Sequence, residues 1–165
     1  MNIKRIFKHT LTTQWHLKKY FTPAALDSIE LEISNSEAQH SGEIRFVVEG
    51  ALDGAPLFRD QSAHDRALDI FSQLRIWDTQ DNNGLLIYLL LADHAVEIIA
   101  DRGINAKVSR DEWKAICEIM QNEFTQGNFK TGVCDAIKSI SKHLIMHFPI
   151  SVSDENELPN KPVVM

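Results

Sequence analysis

One stretch constrains the fold more than any other part of the chain: a polar turn that leads directly into a continuous apolar run. The turn is Asp81-Asn82-Asn83-Gly84, and the run is the seven residues from Leu85 to Leu91. A short apolar run bounded by turn residues is typical of a strand that is buried on both faces of a sheet. The sequence therefore predicts an α/β fold with this strand in the middle of the sheet.

Helix and strand signals on either side of this run predict the remaining elements. Two helices are predicted before the first strand, at 3–19 and 22–39. Three more are predicted later in the chain: one capped by Ser62, one that begins at the capping box Ser109-Arg110-Asp111-Glu112, and one after Gly127-Asn128. The other two predicted strands are 43–49 and 95–100. The turn before residue 95 is so short that the second and third strands must form an antiparallel hairpin. The order predicts a three-layer α/β/α sandwich with a small mixed β-sheet and helices on both faces, in which the first two strands are parallel.

Charge divides the chain into unequal parts. Residues 1–22 contain five basic side chains and no acidic one, whereas the rest has 12 basic and 23 acidic residues, a net charge of −11. We therefore expect a basic amphipathic N-terminal helix at 1–22, an α/β domain at 23–149 and a C-terminal tail at 150–165. An acidic domain argues against a nucleic-acid partner.

The N-terminal pattern leaves three interpretations open. Large apolar residues recur every four positions at Ile3, Phe7, Leu11 and Trp15, with lysines between them. This stripe could pack on the domain, as in most amphipathic helices. Trp, Phe and Lys also suit the surface of an anionic membrane. A partner-binding helix is the third interpretation.

Several classes of protein are disfavoured by what the sequence lacks. No apolar segment approaches the roughly 20 residues that span a bilayer, and the N-terminus lacks the apolar core of a secretory signal. The two cysteines, Cys117 and Cys134, fall inside helical patterns and are expected to be reduced thiols. We expect a cytoplasmic protein, with peripheral contact at the inner membrane face through residues 1–22 as an open alternative.

Connectivity predicts one polar cluster. The first strand begins at Glu43, the parallel second strand begins after Asn83, and the antiparallel third strand ends at Asp101. These three points must lie at the same edge of the sheet, and the helix that precedes Glu43 must end there too. The predicted cluster contains Glu37, His40, Glu43, Asp81, Asn82, Asn83, Asp101 and Arg102.

The residue types in this cluster suggest a metal or anion site. Carboxylates are the ligands that Ca²⁺ or Mg²⁺ prefers, so the predicted metal ligands are Glu37, Glu43, Asp81 and Asp101. Asn82 and Asn83 are the predicted cofactor-binding amides. His40 and Arg102 are the predicted catalytic pair, as acid–base group and phosphate clamp. Ordinary ion pairs and turn geometry explain the same residues equally well. No motif for a nucleotide cofactor is present.

The opposite edge of the predicted sheet is a competing location. It carries Glu49, Asp53, Asp93 and His94. Ligands of open α/β sheets usually bind at the carboxyl ends of parallel strands, which is this edge. We favour the first cluster because it concentrates more functional side chains.

Several segments together resemble the TPM domain family, in a branch of proteobacterial type. They are Glu37–Ile44, Ala67-x-x-Ile70-Phe71, Asn82–Ile87, the hairpin at Asp93, Asp101–Ile104 and Phe129-x-x-Gly132. The resemblance implies an α/β/α sandwich and, from the plant branch, calcium binding and phosphatase activity. Asp101-Arg102-Gly103 stands where other members have Gly-aromatic-Gly, and this departure weakens the transfer of phosphatase activity.

We therefore expect a TPM-like domain that binds a divalent cation, Ca²⁺ or Mg²⁺, or a protein partner, without robust catalysis. One alternative is a metal-dependent phosphatase in which Asp81 and Glu43 hold the ion. The other is an adaptor without metal, whose acidic domain binds a basic protein.

Overall fold

The computed structural model describes residues 2–150 and 155–165, and the elements named below all lie within them. In chain order they are α1 (Ile3–Leu11), α2 (Gln14–Tyr20), α3 (Pro23–Glu37), β1 (Glu43–Glu49), α4 (Gly54–Phe58), α5 (Ala63–Gln73), β2 (Gly84–Leu90), β3 (Ala95–Ala100), α6 (Arg102–Asn105), α7 (Arg110–Thr125), α8 (Phe129–His147) and β4 (Val163–Val164).

The apolar run that follows Asn83 forms a central strand. The sheet has the order β3-β2-β1-β4, and every residue of β2 is buried. β1 pairs with β2 in parallel, from Glu43 opposite Gly84 onward, and β3 pairs with β2 antiparallel. The predicted buried strand, the parallel pair and the antiparallel hairpin are all confirmed.

Helices cover both faces of this sheet, so two apolar cores form. On one face, alternate residues such as Ile44 and Ile87 pack against α3, α7 and α8. On the other face, Val47 and Tyr88 pack against α5 and the short α4. Burial on both sides explains why β2 reads as a continuous apolar run instead of an alternating one. The three-layer α/β/α sandwich is confirmed.

Local capping signals set the beginnings of the main helices. The side chains of Thr22, Ser62 and Ser109 accept hydrogen bonds from backbone N–H groups three residues later, and Glu112 completes a capping box with Ser109. Each cap satisfies a donor that the first helical turn leaves unpaired. These are the N-caps that the sequence predicts.

The N-terminal segment differs from the prediction of one helix over 3–19. It forms two helices, because Thr12 ends α1 and Thr13 begins α2 as its N-cap. Of the three interpretations of the apolar stripe, packing on the domain is contradicted. The four residues of the stripe point to solvent, with exposed fractions of 74% for Ile3, 65% for Phe7, 56% for Leu11 and 63% for Trp15.

The C-terminal segment is also more ordered than the predicted tail. Val163 and Val164 form β4, which extends the sheet beside β1. Leu158 is buried in the core on the α5 side. Without β4, the outer edge of β1 would carry unpaired backbone groups, which is unfavourable for a buried strand. Residues 151–154 of the predicted tail lie outside the described residues.

Both cysteines are free thiols, as expected. Burial, reinforced by the charge of Glu97, raises the pKa of Cys117 to about 12, so this thiol is unreactive at neutral pH. Within residues 2–150 and 155–165, no helix is both long and apolar enough to traverse a bilayer.

Candidate functional site

Backbone hydrogen bonds draw the eight residues of the predicted cluster to one edge of the sheet, which we call the strand-start edge. The amide of Glu43 donates to the carbonyl of Asn83 over 3.1 Å, and the amide of Asp101 donates to the carbonyl of Gly84 over 2.9 Å. The structure therefore places the starts of β1 and β2 beside the end of β3, as connectivity requires.

Two glycines allow this close approach. A Cβ atom on Gly84 would lie 1.9 Å from the carbonyl oxygen of Ile76, and one on Gly103 would lie 2.5 Å from that of Asn82. Asn82 itself has a φ of 53°, a conformation that asparagine tolerates better than most residues. Part of the Asn-Asn-Gly signal is therefore turn geometry.

At this edge the predicted residues fall into two groups. The first group borders a cavity of about 240 Å³, which we call the carboxylate cavity, lined by Ser34, Glu37, Ala38, His40, Glu43, Ile150, Asn156 and Asn160. The second, the turn cluster, consists of Asp81, Asn82, Asp101 and Arg102. Asn83 lies between them, buried, and its side-chain amide donates to the carbonyl of Ser41.

Glu43 is held by the C-terminal segment. The residue is 4% exposed, and its carboxylate accepts hydrogen bonds from the backbone amides of Glu157, over 3.1 Å, and Leu158, over 3.0 Å. The side-chain amide nitrogen of Asn156 donates to Glu43 Oε2 over 3.0 Å and to the carbonyl oxygen of Leu158 over 2.6 Å.

Asn156 also contacts Asn160. The amide oxygen of Asn156 lies 2.9 Å from the side-chain amide of Asn160, which donates to it when its nitrogen is on that side. The Asn156 side chain is therefore hydrogen-bonded to Glu43, to Leu158 and to Asn160.

Glu37 brings a second carboxyl group to the cavity. Its Oε1 accepts a hydrogen bond of 2.8 Å from the amide of Ile44, while its Oε2 is buried without a hydrogen-bond partner. Burial raises the pKa of Glu37 to about 8; the Ile44 amide opposes this shift and the charge of Glu43 adds to it. At neutral pH Glu37 thus holds a proton that a cation could displace.

His40 has a structural environment. It is 1% exposed, its Nδ1 accepts a hydrogen bond from the amide of Gly42 over 3.1 Å, and its Nε2 lies 2.8 Å from Ser36 Oγ. Burial lowers the pKa of His40 to about 4, so the ring is neutral and donates through Nε2. Both nitrogens are engaged, and the acid–base role of His40 stays a prediction that no contact of the ring supports.

The turn cluster is more open. Arg102 donates from Nε to Asn82 Oδ1 and from its backbone amide to Asp101 Oδ1, each over 2.7 Å. Asp101 Oδ2 and Asn83 Oδ1 are buried acceptors without a donor. Asp81 is exposed. The guanidinium of Arg102 is partly committed to the turn, and its role as a phosphate clamp stays a prediction.

The opposite, strand-end edge has a different character. Arg5 donates from Nε and Nη2 to Asp93 Oδ2, over 2.9 and 2.7 Å, and His9 Nε2 lies 3.0 Å from Asp93 Oδ1. Leu52 donates its backbone amide to His9 Nδ1 over 2.9 Å, so the ring carries its proton on Nε2. Asp93, in the turn between β2 and β3, is therefore paired through both carboxylate oxygens.

Glu49, at the same edge, is paired as well. Arg66 donates to both of its carboxylate oxygens over 2.9 Å, and the hydroxyl of Tyr88 donates to one of them over 2.7 Å. The hydrogen bond to Glu49 and the charge of Glu49 raise the pKa of Arg66 against the effect of burial. These acids stabilise the fold and have few free positions for a ligand.

Comparison with known proteins agrees with this architecture. The family model of the TPM domain matches residues 16–143. The chain belongs to the TPM domain family. Its assignment to a proteobacterial branch stays a prediction. No curated protein matches the chain.

Two solved structures are similar to this TPM domain. Protein BA42 of the psychrophilic bacterium Bizionia argentinensis is 34% identical, with 88% of this chain and 95% of that chain covered and a TM-score of 0.77. The N-terminal domain of a P. gingivalis protein, PgR37A, is 18% identical over 79% of this chain and 82% of that chain, with a TM-score of 0.63, which shows a common fold alone.

The four predicted metal ligands of this TPM domain are divided between the two groups. Glu37 and Glu43 border the carboxylate cavity, whereas Asp81 and Asp101 belong to the turn cluster. In the part of the chain that the structure describes, no group of three or more His, Cys, Asp or Glu side chains is placed to hold a metal ion. Any ion in the cavity would therefore need amide or carbonyl oxygens in addition.

Those additional oxygens come from a segment that the sequence pattern did not connect with the site. Asn156, Asn160 and the carbonyl of Leu158 precede β4, and β4 fixes their position beside Glu43. The local signal is weak, since two asparagines in an aperiodic acidic stretch are typical of a tail. Long-range contacts bring them to the cavity: Val163 and Val164 pair with β1, and the amides of Glu157 and Leu158 donate to Glu43.

Proposed function

We propose that this TPM domain binds a divalent cation in the carboxylate cavity, with oxygen ligands from Glu37, Glu43 and the side-chain amides of Asn156 and Asn160. The observation that carries this proposal is that two carboxyl groups and two amides line one cavity of about 240 Å³, in which Glu37 Oε2 is buried without a hydrogen-bond partner. A side-chain amide that rotates can present its oxygen to an ion.

The chemistry of these groups favours a hard cation. Carboxylate, amide and carbonyl oxygens are the usual ligands of Ca²⁺, which accepts irregular arrangements of six to eight oxygens. Two carboxyl groups, one of which must first lose a proton, make a weakly charged site. We therefore expect a dissociation constant for Ca²⁺ of roughly 10⁻⁴ to 10⁻³ M.

Binding should depend on pH through Glu37. Because the pKa of Glu37 is about 8, an ion that binds its carboxylate at neutral pH must displace a proton. The affinity for Ca²⁺ should rise from pH 6 to pH 9, and each bound ion should release up to one proton. Calorimetric titration in two buffers of different ionisation enthalpy measures that release directly.

The primary test is thermal unfolding of the metal-free protein with added CaCl₂ or MgCl₂. A ligand at about ten times its dissociation constant stabilises a protein by about 1.4 kcal/mol, which gives a measurable rise in Tm. Asn156→Ala removes one ligand oxygen and should abolish most of the rise. Asn156→Asp adds a carboxylate and should strengthen Ca²⁺ binding about tenfold or more.

A matched control comes from the turn cluster. Asp81→Ala removes an exposed acid at the same edge but outside the cavity, and it should leave the Ca²⁺ response unchanged. If Asn156→Asp lowers Tm and gains no affinity for Ca²⁺, the Asn156 amide donates hydrogen bonds in place of binding an ion. That result, or a wild-type Tm that is indifferent to both ions, would overturn the proposal.

A further inference from the structure

Helix α1 packs against the domain through Arg5 and His9, together with the partly buried Ile6. Arg5 reaches Asp93, Asp60 and the carbonyl of Gln61, at distances of 2.7 to 3.0 Å. His9, with no exposed side-chain surface, joins Asp93 to the backbone of Leu52. These contacts fix both the position and the rotation of α1 at the strand-end edge.

The opposite side of the same helix is apolar and exposed. Ile3, Phe7 and Leu11 follow one another at four-residue spacing, so they form a stripe on one face. Trp15 is the next residue at this spacing but lies on α2, after the break at Thr12 and Thr13. All four residues are more than half exposed. An amphipathic helix in a globular protein normally buries its apolar stripe and exposes its polar face. Helix α1 is reversed, so its stripe is available for another surface.

Positive charge accompanies the stripe. Lys4 and Lys8 are exposed on α1, and Lys18 and Lys19 are exposed on α2. The ammonium of Lys19 lies 5.3 Å from the ring centroid of Trp15. Residues 1–22 contain no acid, and the acids that face α1 from the domain, Asp60 and Asp93, are already paired with Arg5. The outward side of the helix pair is therefore both apolar and cationic.

We propose that α1 and α2 dock this domain on an anionic lipid surface, with the stripe of Ile3, Phe7, Leu11 and Trp15 at the boundary between headgroups and acyl chains. Charge complementarity selects this occupant, since Phe and Trp suit the interface and the four lysines face anionic headgroups. The clamp of Arg5 and His9 holds the stripe in one orientation, so the acidic remainder of the domain stays away from the negative surface. This inference does not depend on the cation site.

Vesicle co-sedimentation of the full chain tests the proposal. We expect binding to vesicles of equal phosphatidylglycerol and phosphatidylcholine, and little binding to phosphatidylcholine alone. The double variant Phe7→Ser/Trp15→Ser should lower the partition coefficient more than tenfold. Replacement of all four lysines by glutamine should lower it roughly fivefold per lysine, and raising the salt concentration should weaken wild-type binding.

A matched control removes exposed apolar residues elsewhere. Leu31 and Ile119 are 61% and 59% exposed on α3 and α7. Leu31→Ser/Ile119→Ser should bind vesicles as the wild type does. All substituted side chains are exposed, so each variant should unfold at the wild-type temperature, which a thermal melt verifies. Equal binding by the control and the stripe variant would overturn the proposal, as would no binding by the wild type.

Fluorescence gives a second readout of the docked residue. In the Trp77→Phe background, the remaining tryptophans are the exposed Trp15 and Trp113, which is 5% exposed. Anionic vesicles should shift the emission to shorter wavelength, because Trp15 leaves water, and Trp15→Phe should abolish the shift. A shift that persists without Trp15 would contradict the assigned contact surface.

Discussion

The two edges of the sheet treat buried acids in opposite ways. At the strand-end edge, Glu49 and Asp93 are each paired with an arginine of the same chain, Arg66 and Arg5. At the strand-start edge, Glu37 accepts one backbone hydrogen bond and keeps a second oxygen without a donor. The acids at one edge are thus neutralised by arginines of the chain, whereas Glu37 at the other edge is neutralised by a proton at neutral pH.

This difference separates structural acids from acids that can exchange ligands. The charge of Arg45 lowers the pKa of Glu37, but its effect is the smallest of those that act on this carboxyl group. Burial dominates instead and favours the protonated form. An acid that is neutralised by a proton can exchange that proton for an ion. An acid that is paired with a half-buried arginine can bind an ion only after the ion pair breaks.

The largest expected effect follows from breaking a pair at the strand-end edge. Arg66→Met leaves the 6%-exposed Glu49 with the Tyr88 hydroxyl and without a counter-charge. Removal of one member of a buried ion pair typically costs about 3 kcal/mol or more. Urea denaturation at pH 7 measures the loss. The control Arg59→Met, at an exposed position, should change the free energy of unfolding by less than about 0.5 kcal/mol.

A double variant sharpens this test. Glu49→Gln removes the charge that Arg66→Met would leave unpaired, so the two together should be more stable than Arg66→Met alone. Additive losses in the double variant would show that the pair is not coupled and would weaken the contrast between the edges.

A smaller effect is expected for Asp93→Asn, which keeps the side-chain shape but removes the charge that holds Arg5 and His9. Hydrogen bonds to charged groups contribute about 1.5 to 3 kcal/mol, so we expect a loss near 2 kcal/mol at pH 7 and faster amide exchange in α1. Asp135→Asn, at an exposed acid with a single lysine partner, is the control.

The same acid predicts part of the response to low pH. Burial raises the pKa of Asp93, but the hydrogen bonds and charges of Arg5 and His9 outweigh it and hold the pKa below the usual range. A lowered folded-state pKa contributes stability that is present at neutral pH and lost as the pH falls below about 4. Urea midpoints at pH 7 and pH 3 should therefore differ less for Asp93→Asn than for the wild type.

Glu37 predicts the opposite sign at the other edge. Its pKa of about 8 in the folded state lies above the value of 4.5 for the free side chain, so the folded state binds more protons between those values. The stability from this proton is complete below about pH 4.5 and is lost as the pH rises to 8. Glu37→Gln keeps an acceptor for Ile44 and should be about 1 kcal/mol more stable than the wild type at pH 8 without metal.

Two comparisons check the Glu37 prediction. Glu118→Gln, at an acid with 62% side-chain exposure, should show the pH dependence of the wild type. Added Ca²⁺ should restore wild-type stability at pH 8 and have little effect on Glu37→Gln. A wild-type profile that is parallel to that of Glu37→Gln from pH 5 to pH 8 would show that the raised pKa is not coupled to folding.

Local signals made much of the architecture predictable. The predicted bounds of β1 and β3 match the structure, and the caps at Thr22, Ser62 and Ser109 lie where the sequence places them. Each depends on residues within one turn or one strand. The gathering of eight polar residues at the strand-start edge needed only strand directions, which a crossover helix and a short hairpin turn determine.

The parts that escaped prediction depend on distant contacts. The four-residue spacing of Ile3, Phe7 and Leu11 shows that α1 is amphipathic. It does not show that the polar side of α1 packs on the domain, because that packing depends on Asp60 and Asp93. Likewise, the ligand oxygens near Asn156 depend on the short strand β4, whose two residues give no periodicity. Neither segment has a local sequence pattern that indicates its contacts with residues more than 40 positions away.

The smallest expected effect distinguishes the two groups at the strand-start edge. Asn82 has a φ of 53°, and its side chain accepts one hydrogen bond from Arg102. Asn82→Gly loses that exposed hydrogen bond but adopts the positive φ without strain, so the free energy of unfolding should change by less than about 0.5 kcal/mol. Because Asn82 lies outside the carboxylate cavity, the Ca²⁺ response should also be unchanged. A variant that folds normally but loses Ca²⁺ binding would move the ion to the turn cluster, where Asp101 Oδ2 is the buried acceptor without a donor.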